Sequence, residues 1–219
     1  MRPPKVIFLD AVGTLFGVRG SVGEIYGKIA NRYGVHVSSV QLDMAFADSF
    51  RNSPPLAFPG VEPSQIPQLE YDWWYEIAGY AFTKAGVIHD FSDFNAFFAD
   101  LYDYFATAEP WFLYDEVITV LDKWRSSGIP LGIISNFDSR IYEVLKVLDI
   151  ENYFTSVTIS SMVGTSKPNP YIFHSALEKY DCYPEEAWHI GDSFQEDYQG
   201  AKAVGIKAYW LNRKAHPDG

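Results

Sequence analysis

The first strongly patterned stretch of the chain, Val6-Ile7-Phe8-Leu9, is apolar at every position and runs into a single carboxylate, Asp10, with Gly13 three residues further on. A strand with one wet face alternates, whereas a strand covered on both faces does not. The run therefore predicts a strand inside a parallel sheet. From Ser21 to about Ala108 the rhythm becomes helical. Ser21 and Glu24 have capping-box spacing, Ile25, Ile29 and Tyr33 fall on one face, and Gly34 stands where the helix should stop. A second helix is predicted over Val40 to Phe50. The proline-rich segment from Ser53 to Pro67 reads as a loop. Between Tyr71 and Phe105 aromatic residues such as Trp73, Trp74, Phe82 and Phe98 recur at helical spacing, which points to core packing rather than a ligand box.

After Pro110 strands and helices alternate. Val117, Leu121 and Trp124 mark a helix over Asp115 to Ser127, ended by Gly128. Pro130 to Ser135 is a buried strand, Ser139 caps a helix through Leu148, and Ser156 to Ser160 is a short strand. Asn169 opens a helix to about Tyr180, and Ala187 to Gly191 is a strand ending at Asp192. A helix through Gly200-Ala201-Lys202-Ala203 leads to a last strand, Ile206 to Leu211. This order argues for the α/β class, with a parallel sheet covered by helices on both faces. The expected organisation is a core of residues 1–17 and 109–219 interrupted by a helical insertion, 18–108, with Gly17 and Gly20 in a flexible flap between them.

Composition narrows the function classes. Apolar runs are strand-length, so no membrane span is expected. The lone cysteine, Cys182, rules out an internal disulfide and a cysteine zinc cluster, which fits a reducing compartment. Residues 1–5 lack a leader's pattern, and the expected location is cytoplasmic. A net charge of −11 disfavours a nucleic-acid partner and repels anionic substrates, so an anion site would need a local lysine, arginine or metal. His189 lies in a predicted buried strand and reads as a core residue, while His36, His89, His174 and His216 lack partners at ligand spacing. The aromatic insertion leaves a homodimer open.

Polar residues gather at the predicted strand ends. Asp10 follows the first, Ser135-Asn136 the second, Lys167-Pro168 precedes a helix, and Gly191-Asp192-Ser193 is followed by Glu196 and Asp197. Singly these read as a turn former, a helix cap and a solvated charge. Together they form one cluster at the carboxyl edge of a sheet, where open α/β sheets take their ligands.

These motifs, with the tail from Asp197 to Gly205, resemble those of the haloacid dehalogenase-like hydrolase superfamily over nearly the whole chain. The resemblance implies a Rossmann-like parallel sheet core with an inserted α-helical cap domain, and hydrolysis of a small phosphorylated metabolite through an aspartyl-phosphate. Asp10 is then the nucleophile. Mg²⁺ is implied, held by Asp10, the Val12 carbonyl and Asp192, with Asp197 behind them orienting these ligands and Lys167. Catalysis falls to Asp10, Lys167 and Ser135, and substrate contact to Thr14, Asn136 and Arg51.

One position departs from the phosphatase pattern. Members with that activity usually carry a second Asp where this chain has Val12, and that group protonates the leaving alcohol and then activates water. Valine keeps the carbonyl and loses the proton transfer, worth roughly 10² to 10⁴-fold in rate. Acyl and aryl phosphates, which need little protonation, would suffer least. Haloacid dehalogenases also lack the second Asp, and Arg51 is a match for the arginine that holds their substrate's carboxylate. Asp192 opposes that alternative, because those enzymes use no metal. A non-catalytic binding or regulatory member of the fold is the third reading.

Overall fold

The computed structural model describes residues 3–213, so His216 lies outside the described residues. Strand β1 (Val6–Leu9) is the centre of a five-stranded parallel sheet with β4 (Leu131–Ser135) on one side and β6 (Ala187–Gly191) on the other. The sheet is completed by β5 (Phe154–Ile159) beside β4 and β7 (Lys207–Trp210) beside β6. The unbroken apolar run of β1 has a direct cause. Ile7 and Leu9 pack into one core with Leu121, Ile133 and Val144, while Val6 and Phe8 point the other way, against Ile172, Phe173 and Ala201. Successive side chains of a strand point to opposite faces, so a strand covered twice must be apolar throughout.

Helices α5 (Val117–Ser126) and α6 (Ile141–Val147) belong to the first face, and α8 (Pro170–Glu178) and α9 (Gly200–Ala203) to the second; α7 (Ser160–Val163) is a single turn after β5. The chain crosses from β5 at one side of β1 to β6 at the other, which makes the carboxyl ends of β4, β1 and β6 a topological switch point.

Between β1 and α5 lie α1 (Val22–Arg32), α2 (Ser39–Asn52), α3 (Ile66–Lys84) and α4 (Phe94–Tyr104), flanked by an antiparallel ribbon of β2 (Phe16–Val18) and β3 (Trp111–Leu113). These four helices have their own core, in which Phe82 stacks on Tyr26 at 6.0 Å and meets Phe97 edge-on at 5.0 Å. The Ser21–Glu24 capping box is formed, and Gly34 ends the helix at φ +79°. Three local expectations are corrected. Gly17 lies in β2, with no room for a Cβ beside the Phe112 ring, rather than in a flap. The proline segment closes in a 3₁₀ turn at Pro63–Gln65, and α3 starts at Ile66, because proline is tolerated in a first helical turn. Ser139 does not cap α6: Asp138 Oδ1 accepts from the Arg140 N–H at 3.0 Å instead.

Ser139 is committed to the seam between helices and sheet. Its N–H donates to Glu70 Oε1 of α3 at 2.9 Å, and its hydroxyl donates to Glu70 Oε2. Beside it, Trp74 Nε1 donates to Asp138 Oδ2 at 2.7 Å, and Arg140 makes two bonds to the same carboxylate plus one to the Tyr102 carbonyl. Burial pushes the Glu70 carboxyl above its ordinary value, against the bonds from Ser139. An acid raised by folding binds protons more tightly in the native state, so its contribution to stability falls as pH rises through the ordinary glutamate range toward the raised value. Relative to Glu70→Gln, the wild type should therefore lose stability as pH rises through the range above about 4. Urea denaturation of both proteins across that range checks this, and a pH-independent difference would contradict it.

Candidate active site

Asp10 leaves β1 at the middle of the sheet, its N–H donating to the Ile190 carbonyl at 2.9 Å. Its carboxylate is buried. Oδ1 accepts from Ser135 Oγ at 3.0 Å and from Lys167 Nζ at 2.6 Å, and Oδ2 accepts a long bond, 3.5 Å, from Thr14 Oγ1. The loop after Asp10 turns tightly, with Leu15 N–H returning to the Ala11 carbonyl at 2.8 Å and Gly13 at φ +86°. A Cβ on Gly13 would overlap the Asp192 carboxylate, so glycine serves both the turn and the close approach.

Arg213, just beyond β7, braces this loop. Its Nε donates to the Gly13 carbonyl and its Nη2 to that of Thr14, each at 2.8 Å, and its guanidinium lies 3.3 Å over the Tyr114 ring. Sequence reasoning missed it, because no local pattern links a residue at the end of the last strand to a turn after the first.

Lys167 is held at both ends. Asn136 grips its backbone, accepting from the Lys167 N–H at 2.7 Å and donating to its carbonyl at 3.0 Å. Its ammonium donates to Asp10 Oδ1 and Asp197 Oδ1, both at 2.6 Å, and to the Ile134 carbonyl at 2.9 Å, which uses all of its donors. Asp197 Oδ1 also meets His189 Nε2 at 2.9 Å, and Oδ2 accepts from Ser193 N–H at 3.0 Å. Gly191 leaves the room this needs, since a Cβ there would overlap the Asp197 carboxylate. His189 is thus buried as expected, and it is also a partner of the charge cluster.

The electrostatics follow from burial and pairing. Burial pushes the Asp10 carboxyl up, and the Lys167 ammonium pulls against it. Burial also acts on Asp197, where the charge of Lys167 and the bond from His189 prevail and hold it well below the usual carboxylate range. The burial of Lys167 is outweighed by its two carboxylates, which raise it. Asp192 is pushed up to about 6, by burial and then by the charges of Asp10 and Asp197.

Carboxylate oxygens of Asp10, Asp192 and Asp197 lie within 4.8 Å of one another. Both oxygens of Asp197 hold hydrogen bonds of 3.0 Å or less, whereas Oδ2 of Asp10 has a long bond from Thr14, which leaves Asp10 and Asp192 as the available pair. They line a cavity of about 790 Å³ that runs between the sheet edge and the helices. Val12, Ser135, Asn136 and Lys167 line it too, as does Arg51 from α2. Thr14 is buried outside this cavity with its hydroxyl toward Asp10, and the Asn136 amide is spent on the Lys167 backbone. Glu196 joins the lining, its carboxyl pushed up by burial.

A profile of the haloacid dehalogenase-like hydrolases matches residues 4–205. The chain is 32% identical over 213 residues to haloacid dehalogenase-like hydrolase domain-containing protein 3 of Xenopus laevis, covering 97% of this chain and 86% of that protein. Among solved structures, a HAD phosphatase from Thermococcus onnurineus superposes with a TM-score of 0.61 at 24% identity, over 97% of this chain and 87% of its own. An L-2-haloacid dehalogenase superposes with a TM-score of 0.72 at 19% identity, over 100% of this chain and 90% of its own. At these identities the two structures speak to the fold alone.

Removing Asp197 would leave Lys167 one carboxylate and His189 Nε2 no partner. Breaking a buried ion pair from one side costs about 3–5 kcal/mol. Asp197→Ala should lose that much stability in urea denaturation, and a loss below about 1 kcal/mol would show that the cluster is not the buried unit described.

Proposed function

The chain belongs to the haloacid dehalogenase-like hydrolase family, and from that premise we propose that it is a Mg²⁺-dependent phosphatase acting through an aspartyl-phosphate on Asp10. The observation that carries this reading is the approach of Asp192 to Asp10 beside a lysine whose donors are all used. Two carboxylates so close repel each other and leave a need for positive charge that Lys167 alone does not meet. Their hard oxygen donors suit Mg²⁺, with the Val12 carbonyl as the third protein ligand. When bound, the cation offsets charge on the phosphoryl oxygens.

The remaining work falls to the chain. Ser135 and Lys167 fix the plane of the Asp10 carboxylate, which lines the cavity, and leave its less engaged oxygen for in-line attack. Lys167 supplies the counter-charge that an ionised nucleophile needs in a buried site, and it faces the charge that develops on the transferring group. Asp197 and Asn136 keep that ammonium in place. Val12 presents an apolar side chain, 37% exposed, where a proton donor would stand. Leaving groups that depart as stable anions are therefore favoured, and hydrolysis of the acyl phosphate is expected to be slow.

A second reading rests on Arg51, which lines the same cavity as Asp10 and Val12. It could hold a carboxylate while Asp10 displaces a halide from the adjacent carbon. Asp192 speaks against this, because without a cation it would repel an anionic substrate.

Hydrolysis of acetyl phosphate and p-nitrophenyl phosphate, with Mg²⁺ and with EDTA, tests the proposal. Activity should require Mg²⁺ and vanish in Asp10→Asn. Val12→Asp should raise the rate on alkyl phosphates by roughly 10²-fold or more. Release of chloride from 2-chloropropionate in EDTA, with no phosphate hydrolysed, would replace the phosphatase reading with the dehalogenase one.

A further inference from the structure

The walls of the cavity carry information about the substrate that the carboxylate end does not. A volume of about 790 Å³ is in the range of sites for drug-sized ligands, roughly 300–1,000 Å³. It exceeds what a small polar phosphate compound would fill. Away from Asp10 the lining is aromatic: Tyr26 of α1, Phe46 and Phe50 of α2, Trp73 and Trp74 of α3, and Phe98 of α4. Several of these rings already stand in aromatic geometry. Phe50 meets Trp73 edge-on at 5.8 Å and lies 6.0 Å from Trp74.

The indole N–H groups of this wall are spent inside the protein. Trp73 Nε1 donates to the Pro54 carbonyl at 3.0 Å, and Trp74 Nε1 to Asp138 at 2.7 Å. Arg140, which also lines the cavity, gives its guanidinium to Asp138 and the Tyr102 carbonyl and lies 3.8 Å over the Tyr102 ring. What these side chains offer an occupant is ring surface, with few free donors. Phe50 is nonetheless 49% exposed, a large ring left wet on a concave wall. Such surface gains from an apolar or aromatic occupant.

Val12 supplies an independent constraint at the other end. With no proton donor at that position, a bond to phosphorus that breaks to give an anion stable without immediate protonation is favoured. A phenolate meets this condition and an ordinary alkoxide does not. Ring walls and an unprotonated departure coincide in one class of compound.

We propose that the site takes aryl phosphate monoesters, with the phosphate at Asp10 and Lys167 and a fused or linked ring system among Phe46, Phe50, Trp73 and Trp74. This rests on the phosphatase reading above and narrows it from small phosphorylated metabolites in general. An Asp10 oxygen bonds to phosphorus as the P–O(aryl) bond breaks, and the phenolate leaves with the bonding pair and takes its proton from water. Water then attacks phosphorus and the P–O(Asp10) bond breaks, which restores the carboxylate. The sum is aryl phosphate plus water to phenol plus inorganic phosphate.

The test compares kcat/KM in Mg²⁺ for 2-naphthyl phosphate, phenyl phosphate, cyclohexyl phosphate, glycerol 2-phosphate and acetyl phosphate. Binding of the naphthyl and phenyl esters to Asp10→Asn is measured in parallel by titration calorimetry. Naphthyl should exceed phenyl by about tenfold, through KM and with the same factor in Kd, because the second ring buries more apolar surface. Cyclohexyl phosphate should turn over about 10²-fold more slowly than phenyl phosphate, for want of a stable leaving anion. Phe50→Ala should reduce the naphthyl-to-phenyl ratio to about twofold. If acetyl phosphate is hydrolysed with dependence on Asp10 while naphthyl phosphate neither binds nor reacts better than phenyl or glycerol phosphate, this inference fails and the phosphatase reading stands. If no phosphate, acetyl phosphate included, is hydrolysed or bound, both fail together.

Discussion

The ammonium of Lys167, buried between Asp10 and Asp197, fixes the position of nearly every other group in the site. A buried lysine and two buried carboxylates each carry a desolvation cost of several kcal/mol, offset only if pairing and hydrogen bonding are close to complete. The structure meets that demand from β4 and β6 and the turns that follow them. The Ile134 carbonyl takes the third ammonium donor, Asn136 holds the lysine backbone, His189 and the Ser193 N–H satisfy Asp197, and Ser135 shares Asp10 with the lysine. Displacing any of them would leave a charge or a donor without its partner, so the constellation is rigid for the same reason that it is costly. Rigidity at the nucleophile is what an in-line displacement requires.

That cluster needs space, and two glycines provide it. Gly13 admits Asp192 against the loop that follows β1, and Gly191 admits Asp197 beneath the end of β6. The parallel topology then does the rest, because strands that neighbour β1 on both sides deliver their carboxyl ends to a single edge. Arg213 returns from the last strand to bind the carbonyls of the first loop, so the two ends of the sheet region brace the same turn.

The helices above this edge are tied to it by polar contacts, beside the apolar bridge that Val18 and Phe105 make between the two cores. Glu70 reaches Ser139, Trp74 reaches Asp138, and Arg140 joins that carboxylate to the Tyr102 backbone. Their own aromatic core keeps the four helices together, and several of its rings, Tyr26, Phe46, Trp74 and Phe98, also border the cavity beside Phe50 and Trp73. One wall therefore supplies charge and the other supplies ring surface, which is a division suited to an amphipathic substrate.

Local physical chemistry was enough to read much of this from the chain. The doubly covered β1, the capping box at Ser21 and Glu24, the α/β order after Pro110 and the polar residues at strand ends all depend on neighbours within a few positions, where periodicity and capping rules act. The family followed from the same motifs. Other features had no local signature. The β2–β3 ribbon pairs segments nearly a hundred residues apart, Ser139 left its capping position for a glutamate on α3, and Arg213 found a turn at the opposite end of the chain. Thr14 and Asn136 kept their motifs, but the Thr14 hydroxyl turns toward Asp10 and the Asn136 amide, though it lines the cavity, is spent on the Lys167 backbone. The sequence by itself determined which chemical groups are present and which edge of the sheet they reach, because strand ends and their order are local facts. Only the tertiary structure decided which of those groups are spent on one another and which remain to face a ligand, because hydrogen-bond partners and burial are set by segments far apart in the chain.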